Sequence, residues 1–502
     1  MDVAADSSSN NFDFQPSKVP GVQPHVNFDN ELDSLEEIIS EDVVQANIDM
    51  INEFAQAKLQ LNNSAKKYSL YGNWRNVTVG EFWKFFAIII ATGLDRKPSL
   101  KDYWATTSLD YNAFYGNILS RNRFDAIYHT MLHAGKVGAA GKAKIEPFLN
   151  KLVSKFQRAF YPFKNLAIDE MVVGWKGRWK YKQYNAAKPK KHHIKTFGLC
   201  DSVTGYVYNL LTYFGKETSF LPHDVTAGQA EKVFHTLLNC IDAGHHVFAD
   251  RYYTTRKLVD YMLGRNLHFT GTLNIKRKNF APELKTLKLK HREQKSFRTR
   301  CRKILALAWR DKKAKKPVVV VSTKSTVGDV VLQRVRGEVT VPEVVHSYNH
   351  SMNGCDKVDQ MIAYYGHFTR KSCKWWKRLY YWSLEISQVN AFILYKLKKE
   401  LPNLTLKSYK RALITQILSK VADLGEPCAS RRSTGRPTAT PVERLESNKH
   451  LVDWVPTDRN CVVCSKPGAR KRTNFICIGC SDKPYLHPKN CFKVYHTKSD
   501  YK

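Results

Sequence analysis

Apolar positions recur at helical spacing in three stretches of the first third of the chain: "VTVGEFWKFFAIIIATGL", "NRFDAIYHTMLHAG" and "IEPFLNKLVSKFQRAFYP". That period puts apolar side chains on one stripe, so residues 62–163 are expected to be mostly α-helical. Thr78 and Glu81 fit a capping box at the start of the first stretch. The texture then changes. "LAIDEMVVGW", "HHIKTFGLCDSV" and "YVYNLLTYFGK" are short β-branched and aromatic runs broken by Gly and Asp, which read as successive strands. "AEKVFHTLLNCIDAG" and "TRKLVDYMLGR" read as helices on either side of a buried strand, "HHVFADRYY". Strands first, then alternation with helices, predict a mixed α/β sheet over 164–277.

Residues 278–342 are strongly basic and Val-rich, and are expected to form an inserted β subdomain, after which the core resumes at 343–365. A second helical part, 366–429, contains the longest apolar helix pattern, "KWWKRLYYWSLEISQVNAFILYKL". Its Trp375 and Trp376 are assigned to packing, as are Trp175, Tyr208 and the aromatics of 379–382. "SRRSTGRPTATP" marks a linker over 430–445, and a Cys/His-rich tail fills 446–502. Residues 1–61 are polar, then acidic with sparse apolar positions, and are expected to be largely disordered. With 502 residues, several cores are anticipated.

Charge changes the picture more than composition does. The chain carries 80 Lys+Arg against 45 Asp+Glu, a net charge of +35. Residues 1–50 hold eleven acids and one base, so the other 452 residues carry +45. Such an excess points to a polyanion, nucleic acid before a membrane surface. No run approaches the roughly 20 apolar residues of a spanning helix, and the acidic start is unlike a signal peptide. Six scattered cysteines, Cys200, Cys240, Cys301, Cys355, Cys373 and Cys428, suit a reducing compartment. A soluble intracellular protein is expected.

Three acids sit at the edges of apolar elements: Asp169 in "LAIDE", Asp250 in "VFADRYY", and Asp356, followed one turn later by Asp359, in "SMNGCDKVDQ". Taken singly, an aspartate at a strand end is usually a turn or helix cap. Buried carboxylates need cations or donors, and hard divalent ions such as Mg²⁺ take oxygen ligands. In a basic body the conjunction suggests a metal-dependent phosphodiester site.

The segment from "LAIDEMVVGWKGRW" through "KPKKHHIKTFGLCDSVTGY", then "VFADRYYTTRKLVDYMLGRNLHFTGTL", then "YNHSMNGCDKVDQM" and "RKSCKWWKRLYYWSLEISQVNAFILY", resembles the catalytic blocks of piggyBac-type DNA transposases. "KPSLKDYWAT" and "LSRNRFDAIYHTMLH" resemble the family's N-terminal helices, so the likeness runs in order from about residue 70 to 400. The resemblance implies an RNase H-like catalytic core spanning 164–277 and 343–365, set between two parts of a helical dimerisation and DNA-binding domain. It implies that Asp169, Asp250 and Asp356 bind two Mg²⁺ ions, with Asp359 a fourth essential acid. It also implies cut-and-paste transposition at TTAA sites through 3′-hydroxyl attack and hairpin intermediates, in the nucleus, by a homodimer on paired double-stranded transposon ends. One departure stands out: the family carries Gly-Gly-Val before the third acid, where this chain has Asn353, Gly354 and Cys355. Asn tolerates the left-handed backbone a Gly would supply, so the turn is expected to survive.

The tail holds His450, Cys461, Cys464, Cys477, Cys480, His487, Cys491 and His496. Two Cys-x₂-Cys pairs with further His and Cys at short spacing point to zinc rather than disulfides. Eight ligands fill two Zn²⁺ sites in a cross-brace, although spacing does not say which ligands share a metal. The tail also resembles the family's cysteine-rich DNA-binding domain. Candidate DNA contacts are Arg178, Lys188, Lys190, Lys191, Lys276, Arg277, Arg370, Lys371 and Lys374, together with Arg470, Lys471 and Arg472 of the tail. The rival reading is a domesticated, non-cutting DNA-binding or chromatin protein on the same fold.

Overall fold

The computed structural model describes residues 12–61, 74–106, 109–130, 138–222, 226–335, 337–368, 374–425, 445, 450–466 and 468–498. The chain divides into two units, Met1–Cys428 and Ala429–Lys502. The expected linker, apart from Leu445, lies outside the described residues, as do Arg370 and Lys371.

The disorder expected for residues 1–61 is not what residues 12–61 show. β1 (Gly21–Val22) pairs with β2 (Phe160–Tyr161), and is followed by α1 (Glu31–Glu36) and α2 (Glu41–Leu61). The few apolar side chains fall on one face, so that Leu32, Leu35, Val43, Val44, Ile48 and Ile51 are all buried. The acids meet the basic body: Asp42 lies 3.0 and 2.8 Å from Lys151 and Lys155, and Glu36 pairs with Lys420. Low average hydropathy hid a segment whose apolar residues are few but, Val19 apart, placed to pack.

Helices follow as anticipated: α3 (Val79–Leu94), α4 (Ala113–Ile118), α5 (Arg121–Thr130) and α6 (Glu146–Ala159). Thr78 caps α3 by accepting from the Glu81 N–H, and the buried Glu81 carboxylate is taken by Arg75 and Arg123, each at 2.6 Å.

The β-branched runs then build a nine-stranded mixed sheet. β3 (Asn165–Gly174), β5 (His192–Asp201) and β6 (Val207–Thr212) run antiparallel, with the short β4 (Gln183–Tyr184) also on β5. α7 (Gln229–Leu237) leads to β7 (His246–Ala249), parallel to β3, and α8 (Arg256–Gly264) to β8 (His268–Thr272), parallel to β7. The segment expected as a separate insert continues this sheet. β11 (Val318–Ser322) pairs with β8, and β10 (Leu305–Trp309) and β9 (Gln294–Arg298) extend it. The apolar residues of β10 and β11 alternate between two buried faces, so these strands fit a sheet covered on both sides. Only the hairpin β12 (Asp329–Arg334) and β13 (Gly337–Pro342) stands apart as a two-stranded sheet.

Helices α7 and α8 cover the face bearing Leu166 and Ile168. The other face, bearing Met171 and Val173, is covered after α9 (Glu343–Ser351) by α10 (Gly354–Tyr365) and α11 (Trp375–Lys398), and α12 (Leu406–Asp423) packs on α3 and α1. α11 is buried nearly all round, including Trp375 and Trp376. Its Asn390 takes both backbone groups of Val207 on β6, at 2.9 Å each, and so satisfies the edge strand. In the second unit, β14 (Val452–Asn460) pairs with β15 (Arg472–Cys477) and is followed by α13 (Asn490–Thr497). No described helix is long and apolar enough to cross a membrane.

α11 buries two charges, Lys377 and Glu385; Glu385 accepts from Lys410 Nζ at 3.0 Å and from the His367 amide at 2.7 Å, with His367 Nδ1 on the same oxygen. Burial alone would raise its carboxyl, but Lys410 and His367 hold it at about 2, below its ordinary 4.5. A depressed acid contributes stability above its unfolded value and loses it as pH falls through the folded one. Glu385→Gln is therefore expected to cost about 3 kcal/mol at pH 7, by stranding Lys410. Urea denaturation across pH should show that cost shrinking below pH 4.5 towards 2; a gap constant with pH would refute the account.

Candidate active site and metal-binding module

Parallel pairing sets Ile168 of β3 opposite Ala249 of β7, so the next residues, Asp169 and Asp250, follow at the same level, about 4.8 Å apart by strand spacing. Asp250 ends its strand as expected, but β3 runs on to Gly174, so Asp169 lies mid-strand. Asp250 Oδ1 accepts from the Tyr252 N–H at 2.8 Å and Asp169 Oδ1 from its neighbour Glu170 at 2.7 Å. Burial raises the Asp169 carboxyl to about 7, against the Glu170 amide, with Asp250 and Asp356 adding to the rise. Burial likewise raises Asp250, and raises Asp359 to about 6, where Lys190 opposes and Asp356 assists. The four acids thus bear on one another, with Asp356 the exposed member. Among the described residues, however, they do not form a group whose ligand atoms all lie within 4.8 Å.

The approach of α10 to the sheet sets where Asp356 and Asp359 stand. A Cβ on Gly354 would lie 3.1 Å from Asp201 O, 3.2 Å from Ala167 Cβ and 3.3 Å from Cys200 Cβ. Cys355 follows into the floor, its sulfur 3.2 Å from Cys200 Sγ and 3.7 Å from Gly198 O. Asn353 has φ −85°, so the left-handed backbone expected there is absent. The glycine at 354 serves proximity, and the sulfur at 355 fills space a larger side chain would overfill.

Lys188 and Lys190 lie in the β4–β5 hairpin beside the acids. Lys188 lowers Asp169, Asp250 and Asp359 against their burial, and Lys190 lowers Asp359. Lys191 and Arg178 are exposed nearby in sequence. Lys276 is exposed, and Arg277 donates to Tyr252 O at 2.6 Å; both line a cleft with Arg256 and Lys257. Lys374 sits 5.8 Å from the Phe54 ring and burial lowers its pKa, so it packs within the helical part. Two tyrosines escaped the sequence reading. Tyr253 has a buried hydroxyl without a hydrogen bond among the described residues, and Tyr348 approaches Thr272 Oγ1 at 3.4 Å. Burial raises both, with Asp169 and Asp250 adding to each. The available signal was their place in the same runs as Asp250 and Asp356.

In the second unit all eight candidate ligands come together in two clusters. One holds His450, Cys477, Cys480 and His496; the other holds Cys461, Cys464, His487 and Cys491. His450 Nδ1 lies 3.6 and 3.5 Å from the sulfurs of Cys477 and Cys480, and His487 Nδ1 lies 3.3 Å from Cys464 Sγ. A tetrahedral zinc shell holds N and S ligands about 3.5 Å apart, so the donors fit. His487 Nε2 faces the Arg472 carbonyl at 3.2 Å, the outer hydrogen bond that orients a ligating imidazole. The clusters alternate along the chain, as in a cross-brace. Arg470 and Lys471 are exposed, while Arg472 pairs with Asp458 at 2.8 Å.

Two families match the chain: residues 31–392 match Transposase IS4, and residues 445–497 match a DDE_Tnp_1-like zinc finger. Human PiggyBac transposable element-derived protein 3 is 24% identical over 453 residues, covering 86% of this chain and 73% of that protein. Human PiggyBac transposable element-derived protein 2 is 22% identical over 457 residues, covering 87% and 73%. Among solved structures, a piggyBac transposase synaptic complex with hairpin DNA matches with a TM-score of 0.72 at 19% identity, over 96% of this chain and 99% of that one.

Gly354→Ala should push α10 off β3 and β5, because Asp201 O belongs to sheet backbone and yields little. A cost of about 1–3 kcal/mol is expected in chemical denaturation. An unchanged midpoint would show that the approach is not tight.

Proposed function

Because the chain belongs to the piggyBac-type transposase family, we propose that it is a cut-and-paste DNA transposase acting at TTAA sites. The observation that carries the reading is the shared electrostatic site of Asp169, Asp250, Asp356 and Asp359, one from mid-strand, one from a strand end and two from α10. The order β6-β5-β3-β7-β8, three strands antiparallel and then two parallel to β3, supports an RNase H-like core. Asp169, Asp250 and Asp356 would hold two Mg²⁺ ions, since their hard oxygens suit that cation. When bound, such ions supply charge stabilisation for the attacking and leaving oxygens of a phosphodiester. Asp359 adds negative charge behind Asp356. Lys188 and Lys190 offset the acids and position the phosphate backbone; water hydrolyses one strand to free a 3′-hydroxyl, which attacks the opposite strand and displaces its flanking 3′-oxygen to form a hairpin, and after the hairpin is hydrolysed the 3′-hydroxyl joins target DNA by displacing a target 3′-oxygen.

The +45 body supports double-stranded transposon ends and target DNA as partners. A homodimer pairs the two ends, and the site of action is the nucleus. The zinc module carries two Zn²⁺ and contacts DNA through Arg470 and Lys471. A second reading, a non-cutting protein derived from a transposase, is favoured by the names of the human relatives, which call them element-derived.

Excision from a TTAA-flanked donor separates the two. Wild type should excise, and Asp250→Asn should lose at least about 10³-fold in rate while still binding DNA; a wild type as inert as Asp250→Asn would sink the enzyme reading. Elemental analysis should find two zinc ions per wild-type chain and fewer in Cys464→Ser and in Cys480→Ser. A wild-type content below two would contradict the ligand sets.

A further inference from the structure

Between the C-terminal ends of α3 and α10 and the start of α11 lies a cleft of about 440 Å³, within the range of a small-ligand site. Its lining includes Arg96, Lys97, Lys190, His367, Arg378 and Glu385, with the hydroxyls of Thr92 and Tyr103, over apolar walls that include Val173 and Trp382. Four permanent cations thus face one carboxylate. That carboxylate is not available to them: Glu385 already accepts from His367 and Lys410.

Two side chains carry the argument. The His367 side chain is 5% exposed and its Nδ1 is committed to Glu385. Its Nε2, across the ring, is buried without a hydrogen-bond partner among the described residues. A buried polar atom left unmet costs free energy unless something fills the place, and with Nδ1–H on Glu385 this nitrogen becomes a donor when the ring takes up a second proton, which an anion in the cleft favours. Arg378 is half-buried, and its one hydrogen bond among the described residues runs from Nε to Gly174 O at 3.3 Å. Its two outer nitrogens, a fork suited to two oxygens of one group, are therefore open. Arg96 is partly engaged on Ala363 O and Tyr364 O, and Lys97 on Asp110 O, which fixes both side chains at the rim. A basic cleft holding an open guanidinium fork and an unpartnered buried imidazole nitrogen selects a compact anion that accepts several hydrogen bonds, which is the chemistry of a phosphate group.

The place of the cleft says which phosphate. Gly174, the acceptor for Arg378, ends the strand that carries Asp169. It lies five residues, about 17 Å, further along that strand. Lys190 bridges the two places. Its stem lies so close to Gly174 that a Cβ there would meet Lys190 Cδ at 3.2 Å, and its charge bears on Asp359. A strand held at the carboxylates and followed along Lys190 reaches the cleft within a few nucleotides.

We propose that this cleft, through His367 Nε2, Arg378 and Lys190, grips a backbone phosphate of the bound DNA strand a few nucleotides from the cleaved bond. The proposal rests on the DNA reading above. The test uses the full chain and a labelled 30-base-pair duplex of arbitrary sequence, titrated across NaCl concentrations. His367→Asn keeps a donor near the Nδ1 position for Glu385 and removes Nε2; Arg378→Gln removes the charge. Circular dichroism and thermal melting establish that each variant is folded. Arg378→Gln should weaken binding and lower the slope of log K against log salt by about 0.9, one phosphate's worth. His367→Asn should weaken binding about fivefold and also lower the slope, by up to about 0.9, because with Nδ1–H on Glu385 the Nε2 atom donates to a phosphate only as part of a cationic imidazolium. Folded variants with wild-type affinity and slope would overturn the proposal. If wild type itself shows no salt-dependent duplex binding, the DNA reading fails, and inorganic phosphate then decides the cleft. A melting temperature raised by 10 mM phosphate in wild type and not in Arg378→Gln keeps a phosphate site, and no such difference removes it.

Discussion

Everything about the candidate site depends on how closely one short helix can lie against the sheet. α10 touches β3 and β5 at Gly354, where the nearest atoms leave no room for a Cβ at ordinary contact distance. That contact fixes the height of Asp356 and Asp359 above Asp169, and the parallel pairing of β3 with β7 fixes Asp250. The acids come from three places in the sequence, yet only two pieces of backbone geometry bring them together. Their burial and mutual repulsion raise the carboxyls of Asp169 and Asp359, which is the electrostatic condition a cation relieves.

The basic excess of the chain is managed in two ways. At the periphery it is offset by the chain's own acidic start, where Asp42 sits between Lys151 and Lys155 and Glu36 meets Lys420. Near the site it faces the catalytic candidates, in the Lys188–Lys191 hairpin, and in the cleft Arg96 and Arg378 have no ion pair among the described residues. Positive charge therefore survives where a polyanion would have to lie. The central helix α11 tolerates Glu385 in its interior only because Lys410 and His367 complete the pair.

Local pattern carried much of this. The period-3.6 and β-branched runs marked the helices α3, α5, α6 and α11 and the strands β3, β5, β6 and β7 where they occur, and all eight Cys/His positions converge in two clusters. Three things were hidden. The order of residues 12–61 depends on apolar side chains too few to raise average hydropathy but, Val19 apart, placed to pack. The union of β9, β10 and β11 with the main sheet depends on which edge is open, a property of the tertiary fold. The role of Gly354 depends on its distance from Ala167, Cys200 and Asp201, residues far away in sequence, whereas backbone conformation at Asn353 was the more visible and less relevant consideration. Tyr253 and Tyr348 were hard to read for the same reason, since a tyrosine's spacing does not reveal that its buried hydroxyl lies within electrostatic reach of Asp169 and Asp250.

The interleaving of the Cys/His clusters also bears on how the second unit is made. Each shell draws on both halves of the module, and the first and last ligands, His450 and His496, stack within 3.8 Å of each other. During synthesis neither shell can be complete until Cys491 and then His496 have left the ribosome. The module cannot mature piecemeal from its start. A chain that terminates a few residues early keeps nearly all of its sequence, yet would emerge with one shell open and the thiols of Cys477 and Cys480 exposed to oxidation.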